Sequence, residues 1–247
     1  MAENKIIQKD SSDLVLGIDD AGRGCLLGNM VLAGCLMMKK NESELKELGI
    51  KDSKLLSPKQ REERVKIVKE KVIDSIFHMA TPIEIDTGFG EGLNLNQVEA
   101  LLAAKIINDL TKKLDVKQKE NIKIILDCPS INTSGWKNQL MDYVVDKKLE
   151  IKIVCEHKAD LNHVVVSAAS IIAKTTRDAE IEKHKKELGF DFGSGYPADP
   201  YTKKALEEHS EALLKHHLIR ESWATWKNFE EKNNPNNKKA KQSKLFE

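Results

Sequence analysis

Three short apolar runs, each followed by acidic residues, constrain the fold of this chain more than any other feature. The runs cover residues 14–18, 122–126 and 151–155, and the acids that follow them are Asp19, Asp20, Asp127 and Asp160. Runs of this length with helical segments between them predict buried strands of an α/β sheet. Ligand sites in such sheets lie beyond the strand ends, so we expect the four carboxylates to share one pocket.

The other segments predict further strands and helices in alternation. The remaining predicted elements are strands at residues 31–38 and 75–80 and helices at residues 58–74, 95–114, 161–188, 199–214 and 220–231. The pattern favours one sheet with helices on both faces. A chain of 247 residues is long enough to bury one full core and to carry a small additional region.

A charged turn lined by glycines follows the first apolar run. Gly22 and Gly24 allow the backbone to turn and to approach a ligand closely, and Arg23 adds a cation with five hydrogen-bond donors. Neighbouring residues on a strand point to opposite faces. We therefore expect the backbone to turn or bulge at Asp20 if Asp19 and Asp20 serve one site.

The chain resembles ribonuclease HII, the type 2 ribonuclease H family, and within it the archaeal and eukaryote-like catalytic subunits. An opening motif and its further matches follow the order of the family over roughly residues 14 to 226. These motifs are Asp19-Asp20-Ala21-Gly22-Arg23-Gly24-Cys25, Asp52-Ser53-Lys54, Leu95-Asn96, Asp127, Lys158-Ala159-Asp160, Val166-Ser167-Ala168-Ala169-Ser170-Ile171-Ile172-Ala173-Lys174 and Gly193-Ser194-Gly195-Tyr196-Pro197. An ordered set is far more specific than any single short motif.

The resemblance implies a fold and a division of the chain. The expected fold is α/β, a ribonuclease H-like mixed sheet flanked by helices, with a small helical C-terminal region. The expected division is a catalytic domain at residues 1–190, a helical substrate-binding region at 191–232 and a disordered basic tail at 233–247.

The resemblance also implies an activity and a cofactor. The implied enzyme is an endoribonuclease that hydrolyses RNA in RNA/DNA duplexes and nicks 5′ of single ribonucleotides in duplex DNA, which leaves 5′-phosphate and 3′-hydroxyl ends. Its implied roles are ribonucleotide excision repair and primer removal during DNA replication. The implied catalytic residues and metal ligands are Asp19, Asp20, Asp127 and Asp160. Four close carboxylates repel one another unless hard cations intervene, so Mg²⁺ or Mn²⁺ is expected in a two-metal site.

Substrate contacts are carried over from the same resemblance. A single ribonucleotide in DNA is marked only by its 2′-hydroxyl, which the protein must sense. The residues implied are Gly22, Arg23 and Gly24 around the 2′-hydroxyl, Tyr196 against the neighbouring deoxyribose, Lys54 and Asn96 on the phosphate backbone, and Ser170 and Lys174 in a motif that accompanies them.

The chain departs from the family pattern at a few positions. Asp20 replaces the usual glutamate and shortens that arm by one methylene, which alters a metal site whose ligand distances have little slack. We therefore expect slower turnover with Mg²⁺ and relatively better support by Mn²⁺. Cys25 replaces a proline and makes the turn less rigid, and Leu55 replaces a lysine that would contact phosphate.

Ordinary structural roles compete with several of these assignments. Asp127 could be a turn residue at a strand end, and Asp160 could be a helix N-cap. Tyr196 could anchor a loop, and Arg23 could pair with a carboxylate of its own turn. Ala168, Ala169 and Ser170 could be small residues that allow close helix packing.

Two other functional classes remain open at this stage. One is an RNA/DNA-binding module whose catalysis is weakened by the Asp20 substitution. The other is an actin-like ATP-dependent kinase, because such kinases also begin with a strand and an acidic, glycine-containing turn. Kinases of that class need a second domain with a second phosphate turn, which this sequence does not show.

Composition and the cysteine and histidine patterns exclude several site types. The net charge of +1 shows no nucleic-acid footprint, although an acidic site and a basic surface would cancel in that sum. The cysteines form no C-x-x-C pair, and the histidines form no H-E-x-x-H motif, so we expect no zinc site and no disulfide framework. Without a signal or membrane span, the expected location is cytoplasmic, at the nucleoid in a prokaryote.

The C-terminal tail suggests a partner. Gln242, Leu245 and Phe246 resemble the start of a sliding-clamp binding peptide, although the second aromatic residue of that peptide is missing. The alternative is a basic tail in which Lys238, Lys239, Lys241 and Lys244 attract DNA without specificity. We otherwise expect a monomer, unless accessory subunits exist.

Overall fold

A computed structural model describes residues 13–50 and 56–233 of the chain and shows a mixed five-stranded sheet. The strands are β1 (Leu14–Ala21), β2 (Met30–Met38), β3 (Asp74–Ala80), β4 (Ile122–Asp127) and β5 (Ile153–Glu156). Their order across the sheet is β3-β2-β1-β4-β5. The β3, β2 and β1 strands pair antiparallel, whereas β1, β4 and β5 pair parallel. The predicted mixed α/β sheet is confirmed.

Helices fill the connections between the strands. They are α1 (Glu42–Glu47), α2 (Pro58–Lys71), α3 (Pro82–Gly90), α4 (Leu95–Thr111), α5 (Val116–Asn121), α6 (Thr133–Tyr143), α7 (Ala159–Asn162), α8 (Val164–Leu188), α9 (Pro200–Lys215) and α10 (Ala224–Asn233), with short 3₁₀ helices at Lys39–Asn41 and Lys147–Lys152. Among the described residues, none of these helices has the length and apolar character needed to cross a membrane.

Several helices begin where local sequence dictates. Ser57, Thr81, Asn94 and Asp115 each cap a helix reciprocally with a glutamine or glutamate three residues later. Such capping boxes satisfy backbone N–H groups that have no partner within the helix. The predicted long helix at 161–188 is interrupted at His163, whose backbone is extended, and so becomes α7 and α8.

The chain divides into two compact units. Of the described residues, unit 1 comprises 13–23, 30–50, 56–80 and 94–179, and unit 2 comprises 24–29, 81–93 and 180–233. The whole sheet belongs to unit 1. The division predicted from sequence, at residues 190 and 232, stays a prediction.

In unit 1, helices cover both faces of the sheet at close range. A Cβ atom added at Gly17 of β1 would lie 2.5 Å from the backbone carbonyl of Val165, so α8 packs directly on this face. On the other face, a Cβ added at Gly34 of β2 would lie 2.3 Å from Ile106 of α4. Gly17 and Gly34 therefore allow each helix to approach the sheet backbone.

Unit 2 has a core of its own, built on a segment from near the start of the chain. The backbone N–H groups of Leu26 and Leu27 both donate to the Gly195 carbonyl, and Leu27 forms an isolated β-bridge with Ile219. Arg220 is fully buried, and its Nε and Nη2 atoms donate to the Gly28 carbonyl at 3.2 and 3.0 Å. The segment 24–29 is thus bound by residues from the C-terminal part of the chain.

Candidate active site

Asp19 and Asp20 lie on a regular strand and not at a bulge. The β1–β2 pairing continues without interruption through Asp19↔Ala33 and Asp20↔Leu32 to the end of the strand. The expectation of a turn or bulge at Asp20 is therefore wrong, and the chain turns only at Gly22, whose φ is 78°. Because side chains alternate along a strand, Asp19 shares the face covered by α8, and Asp20 shares the face covered by α4.

Two residues of α8 support Asp19: Ser170 directly, and Lys174 through Ser170. Its carboxyl group is buried and accepts hydrogen bonds from the Asp20 backbone N–H, at 2.8 Å, and from the Ser170 side chain. The Lys174 Nζ atom in turn donates to the Ser170 hydroxyl at 2.9 Å. The structure therefore brings Ser170 and Lys174 to the site, where they support a carboxylate.

Burial raises the pKa of Asp19 well above its ordinary value, and the neighbouring charge of Asp20 raises it further. The pKa of Asp20 rises from 3.8 to about 6, chiefly through burial, with Arg23 opposing the rise and Asp127 adding to it. Asp127 acts on both groups. Three of the predicted carboxylates are thus close enough to affect one another's protonation.

A hydrogen bond connects Asp127 to the turn that carries Asp160. Asp127 ends β4, and one of its carboxyl oxygens accepts the Ala159 N–H at 2.8 Å. Lys158 adopts a left-handed backbone conformation (φ 57°, ψ 38°), and α7 follows directly. Asp160 is buried within the first turn of α7, where Lys158 holds the N-cap position, so the alternative of an N-cap role for Asp160 is wrong.

The site also contains Glu99, which the sequence analysis did not identify. This buried glutamate of α4 accepts a hydrogen bond from Arg23 Nε at 2.7 Å. Burial raises the pKa of Glu99 well above its ordinary value, Asp20 raises it further, and Arg23 lowers it. A signal was present in the sequence, since Glu99 is an acid among the apolar positions of an amphipathic helix.

Arg23 and Asn96 meet in the same place. Arg23 Nη2 donates to Asn96 Oδ1 at 2.5 Å, and Trp136 Nε1 donates to the Asn96 backbone carbonyl at 3.0 Å. The interpretation of Arg23 as the partner of a carboxylate is correct in kind, since Arg23 donates to Glu99 of α4 and its charge also lowers the pKa of Asp20 in its own turn.

The remaining predicted site residues lie in different parts of the chain, and some are outside the described residues. Gly22 forms the turn, and a Cβ added at Gly24 would meet no atom of the described residues within 4 Å. Tyr196 lies in unit 2, where its side chain is partly exposed. Lys54 lies outside the described residues, as do the tail residues Gln242, Leu245 and Phe246.

The carboxylates match the ligand chemistry of hard divalent cations. All the candidate ligands are oxygen atoms, which Mg²⁺ and Mn²⁺ prefer, and burial with mutual repulsion disfavours their charged forms in the absence of a cation. Within residues 13–50 and 56–233, no three His, Cys, Asp or Glu side chains are already grouped as a metal would require. The donor types fit a cation, whereas the side-chain arrangement is not that of a formed coordination shell.

A mixed β3-β2-β1-β4-β5 sheet with helices on both faces, and with acids at the ends of β1 and β4, defines the ribonuclease H-like class. Within that class, the family model for ribonuclease HII matches residues 16–226. The ribonuclease HII of Methanococcus maripaludis is 39% identical over 250 residues, which cover 99% of this chain and 97% of that protein. The chain belongs to the ribonuclease HII family, as its motifs predict.

Solved structures agree with this assignment. The ribonuclease H2 of Pyrococcus horikoshii superposes with a TM-score of 0.75 at 35% identity, over 89% of this chain and 98% of that one. The ribonuclease HII in a complex with PCNA from Archaeoglobus fulgidus gives a TM-score of 0.72 at 32% identity, over 85% and 95% of the two chains. The chain is therefore a ribonuclease, and its family supports endoribonuclease activity on RNA/DNA hybrids.

Proposed function

We propose that this ribonuclease nicks duplex DNA 5′ of a single embedded ribonucleotide, as well as cutting longer RNA/DNA hybrids, with two divalent cations at the carboxylate site. The observation that carries the proposal is the mutual electrostatic effect of Asp19, Asp20 and Asp127 at the ends of adjacent strands. Acids that raise one another's pKa, with Asp19 buried and Asp20 and Asp127 half-buried, are typical of a site built to hold cations.

In this proposal Asp19, Asp20, Asp127 and Asp160 hold Mg²⁺ or Mn²⁺. When bound, the cations would supply an activated water and would neutralise charge on the leaving 3′ oxygen. Hydrogen bonds from neighbouring residues orient two of these carboxylates. Ser170 orients Asp19, and the Ala159 N–H orients Asp127. The lysine at position 174 holds Ser170 in turn.

Recognition of the ribonucleotide is assigned to the turn after β1. The space beside Gly24 supports this assignment, because a Cβ there would meet no described residue within 4 Å and a nucleic-acid backbone can therefore approach the main chain closely. Asn96 and Lys54 would hold the phosphate backbone, and Tyr196 would pack on the deoxyribose beyond the cleavage point. These contacts follow from the family resemblance, and the positions of Arg23 and Asn96 beside the acids support them.

Two alternative functions were considered, a kinase and a catalytically weakened binding module. Membership of the ribonuclease HII family argues against the actin-like kinase. The catalytically weakened binding module differs from the proposal only in the effect of Asp20, and the experiment below separates them.

A sliding clamp is the proposed partner. The related Archaeoglobus fulgidus ribonuclease HII forms a complex with PCNA, and the tail of this chain carries Gln242, Leu245 and Phe246. Work beside a replication clamp fits ribonucleotide excision repair and primer removal in the cytoplasm.

The central test is cleavage of a labelled DNA duplex that carries one ribonucleotide, compared with an all-DNA duplex, in Mg²⁺, Mn²⁺ or EDTA. We expect metal-dependent nicking just 5′ of the ribonucleotide and no cutting of the control. Asp127→Asn should reduce the rate by about a hundredfold or more, because it removes a charged ligand from the metals. Asp142→Asn, on the exposed side of α6, is the matched control and should retain the wild-type rate.

Other outcomes would point elsewhere. Cutting in EDTA, or equal cutting of the all-DNA duplex, would contradict the proposal. Binding without cutting would support the weakened module, and recovery of Mg²⁺-dependent cutting by Asp20→Glu would attribute the loss to the shortened side chain. An Asp20→Glu variant that is no faster in Mg²⁺ would contradict the expected metal preference.

A further inference from the structure

A buried polar cluster lies beside the candidate metal ligands and is formed by Glu99, Arg23 and Asn96. Arg23 follows β1, whereas Asn96 and Glu99 lie three residues apart in the first turns of α4. The Arg23 guanidinium donates from Nε to Glu99 and from Nη2 to Asn96, over separations of 76 and 73 residues in the chain. We refer to these three residues as the Arg23 cluster.

The burial of Glu99 indicates that its carboxyl group is kept at this position by the hydrogen bond from Arg23. Its side chain is 3% exposed, whereas that of Arg23 is 33% exposed. A carboxyl group removed from water is destabilising unless it is hydrogen-bonded, and its position beside other acids increases that cost. An apolar residue would fill the same core position of α4 at less cost. The glutamate therefore serves Arg23 more than it serves the core.

The fork of the guanidinium fixes the orientation of both partners. A planar guanidinium that donates from Nε and Nη2 to two acceptors cannot rotate without breaking one of the bonds. On Asn96, the side-chain oxygen is engaged by Arg23, and the backbone carbonyl is engaged by Trp136. Among the described residues, no hydrogen bond engages the amide NH₂ of Asn96, so that group is the one able to donate to a ligand.

We propose that Glu99 is a positioning residue of this ribonuclease, which acts through Arg23 to orient the Asn96 amide and to hold the Gly22–Gly24 turn for the ribonucleotide-containing strand. The inference rests on the function proposed above for the same site. Glu99 has no contact with substrate or metal in this proposal, and the Arg23 side chain connects Glu99 to Asn96.

The kinetic test uses Glu99→Leu, which removes the acceptor, and Glu99→Gln, which keeps one. For the duplex with one ribonucleotide, we expect Glu99→Leu to raise KM about tenfold with kcat within about threefold, since a buried hydrogen bond to a charged group is lost while the metal ligands stay. Glu99→Gln should recover most of the loss. Glu120→Leu and Glu120→Gln, at an exposed position of α5, are the matched controls and should behave as wild type.

A double-mutant cycle tests whether Glu99 acts through Arg23. On an Arg23→Ala background, Glu99→Leu should have no further effect on KM, because the group that it positions is gone. A fall in kcat with unchanged KM, or an equal effect of Glu99→Leu in both backgrounds, would overturn the proposal and would indicate a direct role at the metals.

A spectroscopic readout separates this proposal from the proposed function. In ¹⁵N NMR spectra, the Arg23 Nε–H should exchange slowly with water in the wild type and in Glu99→Gln. In Glu99→Leu, the same N–H should exchange rapidly. Protection that persists in Glu99→Leu would overturn the inference whatever the activity. A wild-type protein that protects Arg23 but does not nick would refute the function and leave the positioning role intact.

Discussion

Two adjacent aspartates of β1 point to opposite faces of the sheet, and both are close enough to Asp127 for its charge to raise their pKa. The sequence pattern identifies Asp19, Asp20, Asp127 and Asp160, since each follows or adjoins an apolar run. The position of Glu99 among the apolar residues of α4 is a signal in the sequence, but its partner could not be predicted, because that arginine lies 76 residues away. For the same reason the regular pairing at Asp20 could be seen only once β2 was placed beside it.

At the residue scale, we predict that Asp20 makes the metal-free protein less stable as pH rises from about 4 to about 6. Its pKa is about 6 in the folded protein and 3.8 ordinarily, so the folded state binds the proton more tightly, and stability falls as the proton is lost. In EDTA, urea unfolding of Asp20→Asn should show less of this decline, by about 2 kcal/mol between pH 4 and pH 7.

Part of the decline should persist in Asp20→Asn, because the pKa values of Asp19 and Glu99 are also raised. Addition of Mg²⁺ at pH 7 should stabilise the wild type more than this variant, since a bound cation favours the charged carboxylates. Parallel stability curves for the wild type and Asp20→Asn across this pH range would show that Asp20 is not perturbed.

At the scale of elements, the contact between β1 and α8 places Ser170 and Lys174 behind Asp19. Apolar runs and helical periodicity predicted many of the described elements of unit 1, including α2, α4 and the strands. The short helices α1 and α5 were not predicted. Nor were α3 and α6, whose segments contain glycines. Those helices depend on caps at Thr81 and Asn132 and, in α6, on burial of Trp136, none of which a periodic pattern records.

The close approach at Gly17 leads to an element-scale prediction. Gly17→Ala should destabilise the protein by about 2–4 kcal/mol, because the new Cβ would overlap the α8 backbone, which cannot move aside as a side chain can. It should also slow cleavage by shifting Ser170 relative to Asp19. The control is Gly90→Ala at the end of α3, where a Cβ meets nothing within 4 Å. Equal thermal midpoints for the two variants would contradict this account.

At the scale of the whole molecule, the chain is organised differently from its linear order. The sequence suggests a catalytic region followed by a helical one, whereas unit 2 also takes in residues 24–29 and 81–93. No local sequence pattern predicts that residues 24–29 belong to unit 2. The contacts that join them to the C-terminal part of the chain are backbone hydrogen bonds and those of the buried Arg220.

The partner proposal is tested on the full chain. We expect an archaeal PCNA ring to bind the wild type in calorimetry and to bind Phe246→Ala at least about tenfold more weakly, because an aromatic anchor carries much of such an interface. Lys241→Gln tests the basic-tail alternative and should have a small effect. If Lys241→Gln weakens binding as much as Phe246→Ala does, nonspecific attraction would be the better explanation.

The long sequence separation between Gly28 and Arg220 bears on how the enzyme is made. The two residues are 192 positions apart, and Gly195 and Ile219, which bind Leu26 and Leu27, are also translated late. While a ribosome is still extending the chain, the segment that follows the glycine turn has none of these partners. We expect residues 24–29 to reach their final conformation only after Arg220 has left the exit tunnel, so that unit 2 is completed at the end of synthesis.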